Sequence, residues 1–144
     1  MRERKHPKLY WVDPGIVRAA KKQLGELARE ERGPLLEGWV LGCLRAHAEV
    51  EELFDEIYYW APAQGQLEVD FLLERGSRTL AIEVKSGRRL APEMLSGLRA
   101  IGGLKGLARR ILVYGGERKM KTPDGIDVWP PLALARALET GTLW

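Results

Sequence analysis

Apolar and polar residues alternate with two different periods along the chain. Residues 8–12 read as a short extended segment, and Asp13-Pro14-Gly15 as a turn that starts a helix. Residues 16–31 show helical spacing with charged positions outward. Gly33-Pro34 is expected to break that helix and open a second one, since proline suits a first helical turn. The second helix runs to about residue 54, with Leu36, Trp39, Val40, Cys43, Leu44 and His47 on its apolar side.

The period then shortens. Residues 57–60, 67–74 and 80–85 read as strands separated by turn residues. Residues 91–108 form a helical pattern weakened by Gly97, Gly102, Gly103 and Gly106, each costing roughly 1 kcal/mol against alanine. A strand at 110–114, a polar loop at 115–125, a short strand at 126–129 and a helix at 132–139 complete the order. Helix, three strands, helix, strand is not the alternation of a doubly wound sheet. It predicts an α/β fold with a mixed central sheet and helices on both faces. One domain spans 1–144: an N-terminal extension and helix (1–33), a core (34–129) and a C-terminal helix (130–144).

The hairpin at 67–85 carries the candidate chemistry. Gly76-Ser77 suits a type II′ turn, which takes glycine first. The resulting register sets Leu73 opposite Leu80, Phe71 opposite Ile82 and Val69 opposite Val84, with all six side chains on one face. On the other face Leu72 meets Ala81, Asp70 meets Glu83 and Glu68 meets Lys85. Opposed carboxylates destabilise a sheet unless neutralised, and a hard divalent cation prefers oxygen ligands. The same pattern also fits a solvated hairpin face with an ordinary Glu68–Lys85 ion pair. If the acids repel, Asp70→Asn should melt at or above the parent in chelator. Glu37 shares a helical stripe with Val40, Leu41, Leu44 and Ala48. It either converges on the hairpin as a further acid or only favours the helix dipole.

Composition narrows the setting. The chain has 144 residues, 45% of them hydrophobic, enough for one buried core. Its single cysteine permits no internal disulfide and no zinc spacing. No apolar run approaches the ~20 residues of a membrane span, so no membrane association and a cytoplasmic location are expected. The net charge is only +3. Its basic residues gather at Arg2, Arg4, Lys5 and Lys8, around Lys85, Arg88 and Arg89, and at Arg118, Lys119 and Lys121, which permits nucleic-acid binding.

Asp70 followed by Glu83-Val84-Lys85 resembles the PD-(D/E)XK nuclease signature, with Val69 in the proline position. Glu37 matches the acid often supplied by the first core helix of that superfamily. The longer string Tyr59-Trp60, Glu68-Val69-Asp70-Phe71 and Ile82-Glu83-Val84-Lys85-Ser86 is similar to the nuclease-like C-terminal domain of a prokaryotic family of AAA-type ATPases of unknown function. Lys8-Leu9-Tyr10, Asp13-Pro14-Gly15, Asp124-Gly125-Ile126 and Trp129-Pro130 also fit that domain. No phosphate-binding Gly-x-x-x-x-Gly-Lys loop is present, so ATP hydrolysis is not expected. No glutamine follows Gln66, which disfavours the exonuclease branches.

The resemblance implies a restriction-endonuclease-like core and Mg²⁺- or Mn²⁺-dependent hydrolysis of DNA or RNA. Asp70, Glu83 and Glu37 would hold the metal with the Val84 carbonyl, and Lys85 would stabilise developing charge. Arg88, Arg89 and Lys119 are the candidate phosphate contacts. The alternative is a non-catalytic nucleic-acid-binding or docking domain that partners an AAA-type ATPase.

Overall fold

A computed structural model describes residues 8–62 and 67–144. Arg2, Arg4 and Lys5 of the N-terminal basic cluster lie outside the described residues. Four α-helices occur among the described residues: α1 (Pro14–Ala20), α2 (Arg29–Glu51), α3 (Ser96–Ala100) and α4 (Pro131–Glu139). The strands are β1 (Glu56–Trp60), β2 (Val69–Arg75), β3 (Arg78–Lys85), β4 (Leu107–Tyr114), β5 (Met120–Lys121) and β6 (Asp127–Trp129).

They form one sheet in the order β1-β2-β3-β4-β6-β5. The first three strands are antiparallel, β3–β4 and β4–β6 are parallel, and β5 runs antiparallel on the edge. The sheet is mixed, as expected. On one face Val40 and Leu44 of α2 and Leu134 and Leu138 of α4 pack on Phe71, Leu73, Leu80, Ile82 and Val84. On the other, Leu95, Leu98 and Ile101 pack on Leu72, Ala81, Leu112 and Val128. Helical elements therefore cover both faces. Among the described residues no helix is long and apolar enough to cross a membrane.

The hairpin turn forms as expected. Arg75 pairs with Arg78 around it, and Gly76 has a φ of 58° while Ser77 has none above zero. That combination agrees with type II′ and excludes type I′, which needs two positive values.

Three element boundaries differ from the sequence pattern, and Met120–Lys121 pairs with β6 as β5 within what reads as a polar loop. The first helix stops at Ala20, because Lys22 turns left-handed at a φ of 54° and the Arg18 guanidinium holds the Gly25 carbonyl at 2.6 Å. Gly33-Pro34 does not break a helix: α2 already starts at Arg29 and contains Pro34. Glu31 accepts the Ala28 amide at 2.9 Å and fixes the start upstream, so Pro34 forfeits only one amide bond. The 91–108 helix is instead a 3₁₀ turn at Pro92–Leu95, the five-residue α3 and a second 3₁₀ turn at Ile101–Gly103. The glycines prevail here. Gly106 has a φ of 84°, and its carbonyl takes the Thr79 amide at 2.8 Å, which brings Leu107 into β4 early.

Candidate functional site

The acids lie where β2 is irregular. Tyr58 pairs with Leu72, and Trp60 pairs with Val69, so three steps along β2 oppose two along β1. One extra residue is therefore inserted into β2, a bulge of the kind that re-aims a side chain. Val69 and Leu72 consequently both pack under α3, while Phe71 packs under α2. The expectation that Val69 shares a face with Phe71 fails for this reason. Asp70 is turned toward Lys8 and, through it, toward Glu37 on α2.

The β2–β3 ladder has the expected register from Leu73–Leu80 to Phe71–Ile82 and ends there. One residue further, Asp70 Oδ2 accepts the Val84 amide at 2.8 Å. A side chain has taken the place of the next backbone acceptor. Asp70–Glu83, Val69–Val84 and Glu68–Lys85 are therefore not ladder pairs, although Asp70 and Glu83 remain close enough for the charge of one to act on the other. Both are 3% exposed.

Glu83 Oε1 is bonded to the Lys85 ammonium, on the same side of β3 two residues on. Its Oε2 is buried with no hydrogen-bond partner among the described residues. Burial, and then the charge of Asp70, push the Glu83 carboxyl up to about 7, against the pull of Lys85 and the Asp70 amide. Burial pulls the Lys85 ammonium down, but its bond to Glu83 and the charges of Glu83, Asp70 and Glu68 outweigh this and raise it.

A second ammonium enters from the N-terminal segment. Lys8 Nζ lies 2.7 Å from Asp70 Oδ1, 3.0 Å from Glu37 Oε1 and 3.7 Å from Glu68 Oε1. Burial opposes its charge, yet the bonds to Asp70 and Glu37 raise its pKa overall. The Tyr10 hydroxyl donates to the same Glu37 oxygen, and its ring sits 6.1 Å from that of Phe71. Burial and the Glu37 carboxylate push the Tyr10 phenol up. A cavity of about 410 Å³, lined in part by Lys8, Tyr10, Arg45, Tyr59 and Phe71, reaches Asp70 from solvent.

The structure thus joins Asp70, Glu83, Lys85 and Glu37 in one cluster, with Glu37 attached through Lys8. Four carboxylates and two ammoniums leave a formal negative excess, and all the acidic donors are oxygens, the chemistry that suits a hard cation. The orphaned Glu83 oxygen fits such an ion. Among the described residues, however, no three carboxylate, histidine or cysteine side chains group so as to hold a metal. Lys8 stands between Glu37 and Asp70. Val84 contributes its amide to Asp70. Lys8, Tyr10 and the contact of Glu68 with Lys8 were not foreseen. Their one local signal is the inverted alternation of Lys8-Leu9-Tyr10, which leaves Leu9 88% exposed and turns the polar tips inward.

The predicted phosphate contacts lie beyond the ends of β3 and β4. Gly115 donates its amide to the carbonyls of Lys85 and Gly87 at 3.1 and 3.0 Å, tying the two loops together. Arg88 pairs with Glu117 at 2.9 Å on the surface, Arg89 is exposed, and Lys119 lies 4.3 Å from the centre of the Trp129 ring.

A profile for a domain of unknown function (DUF4143) matches residues 32–134. The fold is similar to that in the crystal structure of protein VC1899 from Vibrio cholerae, with a TM-score of 0.53 and 22% identity over 81% of this chain and 36% of that one. At that identity the likeness is one of fold, and the chain spans about a third of that protein. No curated protein matches the chain.

Proposed function

The chain belongs to the DUF4143 family, and we propose that this member is a metal-dependent phosphodiesterase acting on nucleic acid, DNA in the first instance, in the cytoplasm. The observation that carries this reading is the buried, unpartnered Oε2 of Glu83 beside Asp70 and Lys85. A buried carboxylate oxygen without a donor is costly unless a cation completes it.

Asp70 and Glu83 are the residues that would hold Mg²⁺ or Mn²⁺. Such an ion, when bound, polarises a phosphodiester and lowers the pKa of water. Asp70 is oriented by the Val84 amide, so its carboxylate is fixed before any ligand arrives. Lys85 opposes the rise that burial and Asp70 impose on the Glu83 carboxyl, and presents a cation to charge developing on phosphate. The cavity beside Asp70 gives a phosphodiester a route from solvent, and Arg88, Arg89 and Lys119 would grip flanking phosphates.

The arrangement of strands supports the PD-(D/E)XK resemblance: a helix, an antiparallel three-stranded unit, a short helix and a parallel strand. A second reading, a non-catalytic domain accessory to an AAA-type ATPase, is favoured by Lys8, which already neutralises Asp70 and Glu37. Incubation of the protein with supercoiled plasmid and with linear RNA, in Mg²⁺ or Mn²⁺, separates the two. Cleavage by the parent that Lys85→Ala abolishes supports the enzyme. Mn²⁺ binding without cleavage of either substrate would move the assignment to the accessory role.

A further inference from the structure

We propose that Lys8 is a further residue of this site: it holds the cation position between Glu37 and Asp70, and a divalent cation can use those carboxylates only when Lys8 withdraws. The inference rests on the reading of Asp70 as a cation ligand.

The competition is for one atom. Asp70 Oδ2 already accepts the Val84 amide at 2.8 Å, so a ligand shared between Asp70 and Glu37 falls to Oδ1. Oδ1 is the atom that Lys8 holds at 2.7 Å. The same ammonium takes Glu37 Oε1 at 3.0 Å. Glu37 therefore cannot converge with Asp70 on a metal while Lys8 is there, since a divalent ion and an ammonium sharing these oxygens repel strongly at such distances. Lysine is a compact charge on a flexible stem, suited to leaving such a position.

Few side chains hold the segment that carries Lys8 to the rest of the fold. Leu9 is 88%, Trp11 56% and Val12 90% exposed, so its apolar side chains anchor it little. What fixes it inward is Lys8, on Asp70 and Glu37, and Tyr10, on Glu37 and against the Phe71 ring. Behind it, Asp13 Oδ1 accepts the Gly15 and Ile16 amides at 2.7 and 3.1 Å and caps α1, a firm point from which the strap can swing.

Calorimetric titration of the intact chain with Mn²⁺ alone tests this. Lys8→Met should bind Mn²⁺ about tenfold more tightly than the parent, because one like charge has left the ion's immediate surroundings. Lys105→Met, which removes an exposed charge elsewhere, should leave affinity unchanged. Tyr10→Phe keeps Lys8 but frees one bond of the strap, and should tighten Mn²⁺ several-fold; it also serves if Lys8→Met does not fold. Parent-like or weaker binding by the Lys8 and Tyr10 variants, with the parent binding Mn²⁺, would overturn the role of Lys8 and leave the metal reading intact. Absence of Mn²⁺ binding in parent and variants alike would overturn both.

Discussion

The Val84 amide donates to Asp70 Oδ2 at 2.8 Å, one residue past the last backbone pair of the β2–β3 ladder. This bond makes Asp70 a structural acceptor as well as a candidate ligand. It also changes what removal of the Asp70 charge should do. Two opposed acids alone would repel, and Asp70→Asn would relieve them. With Lys8 on Oδ1 and an amide on Oδ2, the charge is favourable where it stands.

Asp70→Asn should therefore melt below the parent in chelator, the reverse of the expectation from the hairpin alone. Hydrogen bonds to a charged group contribute about 1.5–3 kcal/mol, and each 1 kcal/mol moves the melting temperature by roughly 2–8 °C in domains of this size range. Differential scanning calorimetry in EDTA reads this directly. A variant that melts at or above the parent would show that repulsion with Glu83 prevails over the bonds to Lys8 and Val84.

Glu83 sets a pH dependence of definite sign. Burial raises its carboxyl from 4.5 to about 7 in the folded chain. Between those values the folded state binds the proton and the unfolded state does not, so this group's contribution to stability falls as pH rises through the window. The difference in unfolding free energy, parent minus Glu83→Gln, should decline from about pH 4.5 to about pH 7 and level off above. Denaturant melts in EDTA across that range measure it. A flat difference would remove Glu83 as the titrating group.

Lys85 acts on the same proton. Its bond and charge hold the Glu83 carboxyl down, so Lys85→Ala should raise it beyond about 7. Metal ligands must be deprotonated to bind. Mn²⁺ affinity of Lys85→Ala should therefore drop more steeply than the parent's between pH 8 and pH 6, a calorimetric readout independent of cleavage. Identical pH profiles would uncouple Lys85 from Glu83.

Gly97 positions the start of β2. A Cβ there would fall 2.0 Å from the Glu68 carbonyl oxygen, so Gly97→Ala must push that backbone away. Overpacking of this kind costs about 1–3 kcal/mol. The variant should lose several degrees in melting temperature and also weaken Mn²⁺ binding, since Glu68 directly precedes β2 and lies two residues before Asp70. Lower stability with unchanged affinity would separate the α3 contact from the site.

Arg88 and Glu117 form an exposed ion pair, 72% and 84% accessible. Such pairs add little stability. Arg88→Ala should therefore leave the melting temperature nearly unchanged while lowering DNA affinity across sequences and reducing the salt dependence by about one charge. Fluorescence anisotropy over a salt series checks it, and an unchanged slope would take Arg88 out of the phosphate contacts.

The sequence by itself determined the hairpin and the order of the main helices and strands, but not β5 or the broken helix after β3. Apolar alternation fixes Leu73 against Leu80 and Phe71 against Ile82, because a slip of one residue would turn every apolar side chain to the wrong face. Gly76-Ser77 fixes the turn, because glycine there adopts a positive φ without cost. Glu83 and Lys85 share a side by the two-residue period of one strand. Those are local rules, readable from neighbours. Three features came only from the tertiary structure. The bulge that turns Asp70 toward α2 depends on how β1 pairs with β2. Pro34 lies within α2 because the Glu31 cap and packing under the sheet outweigh the loss of one amide bond. Lys8 reaches Asp70 across 62 positions of chain, and no spacing rule connects them. An ammonium goes where buried carboxylates leave a negative field, and that field exists only once the sheet and α2 have brought Glu37, Glu68 and Asp70 together.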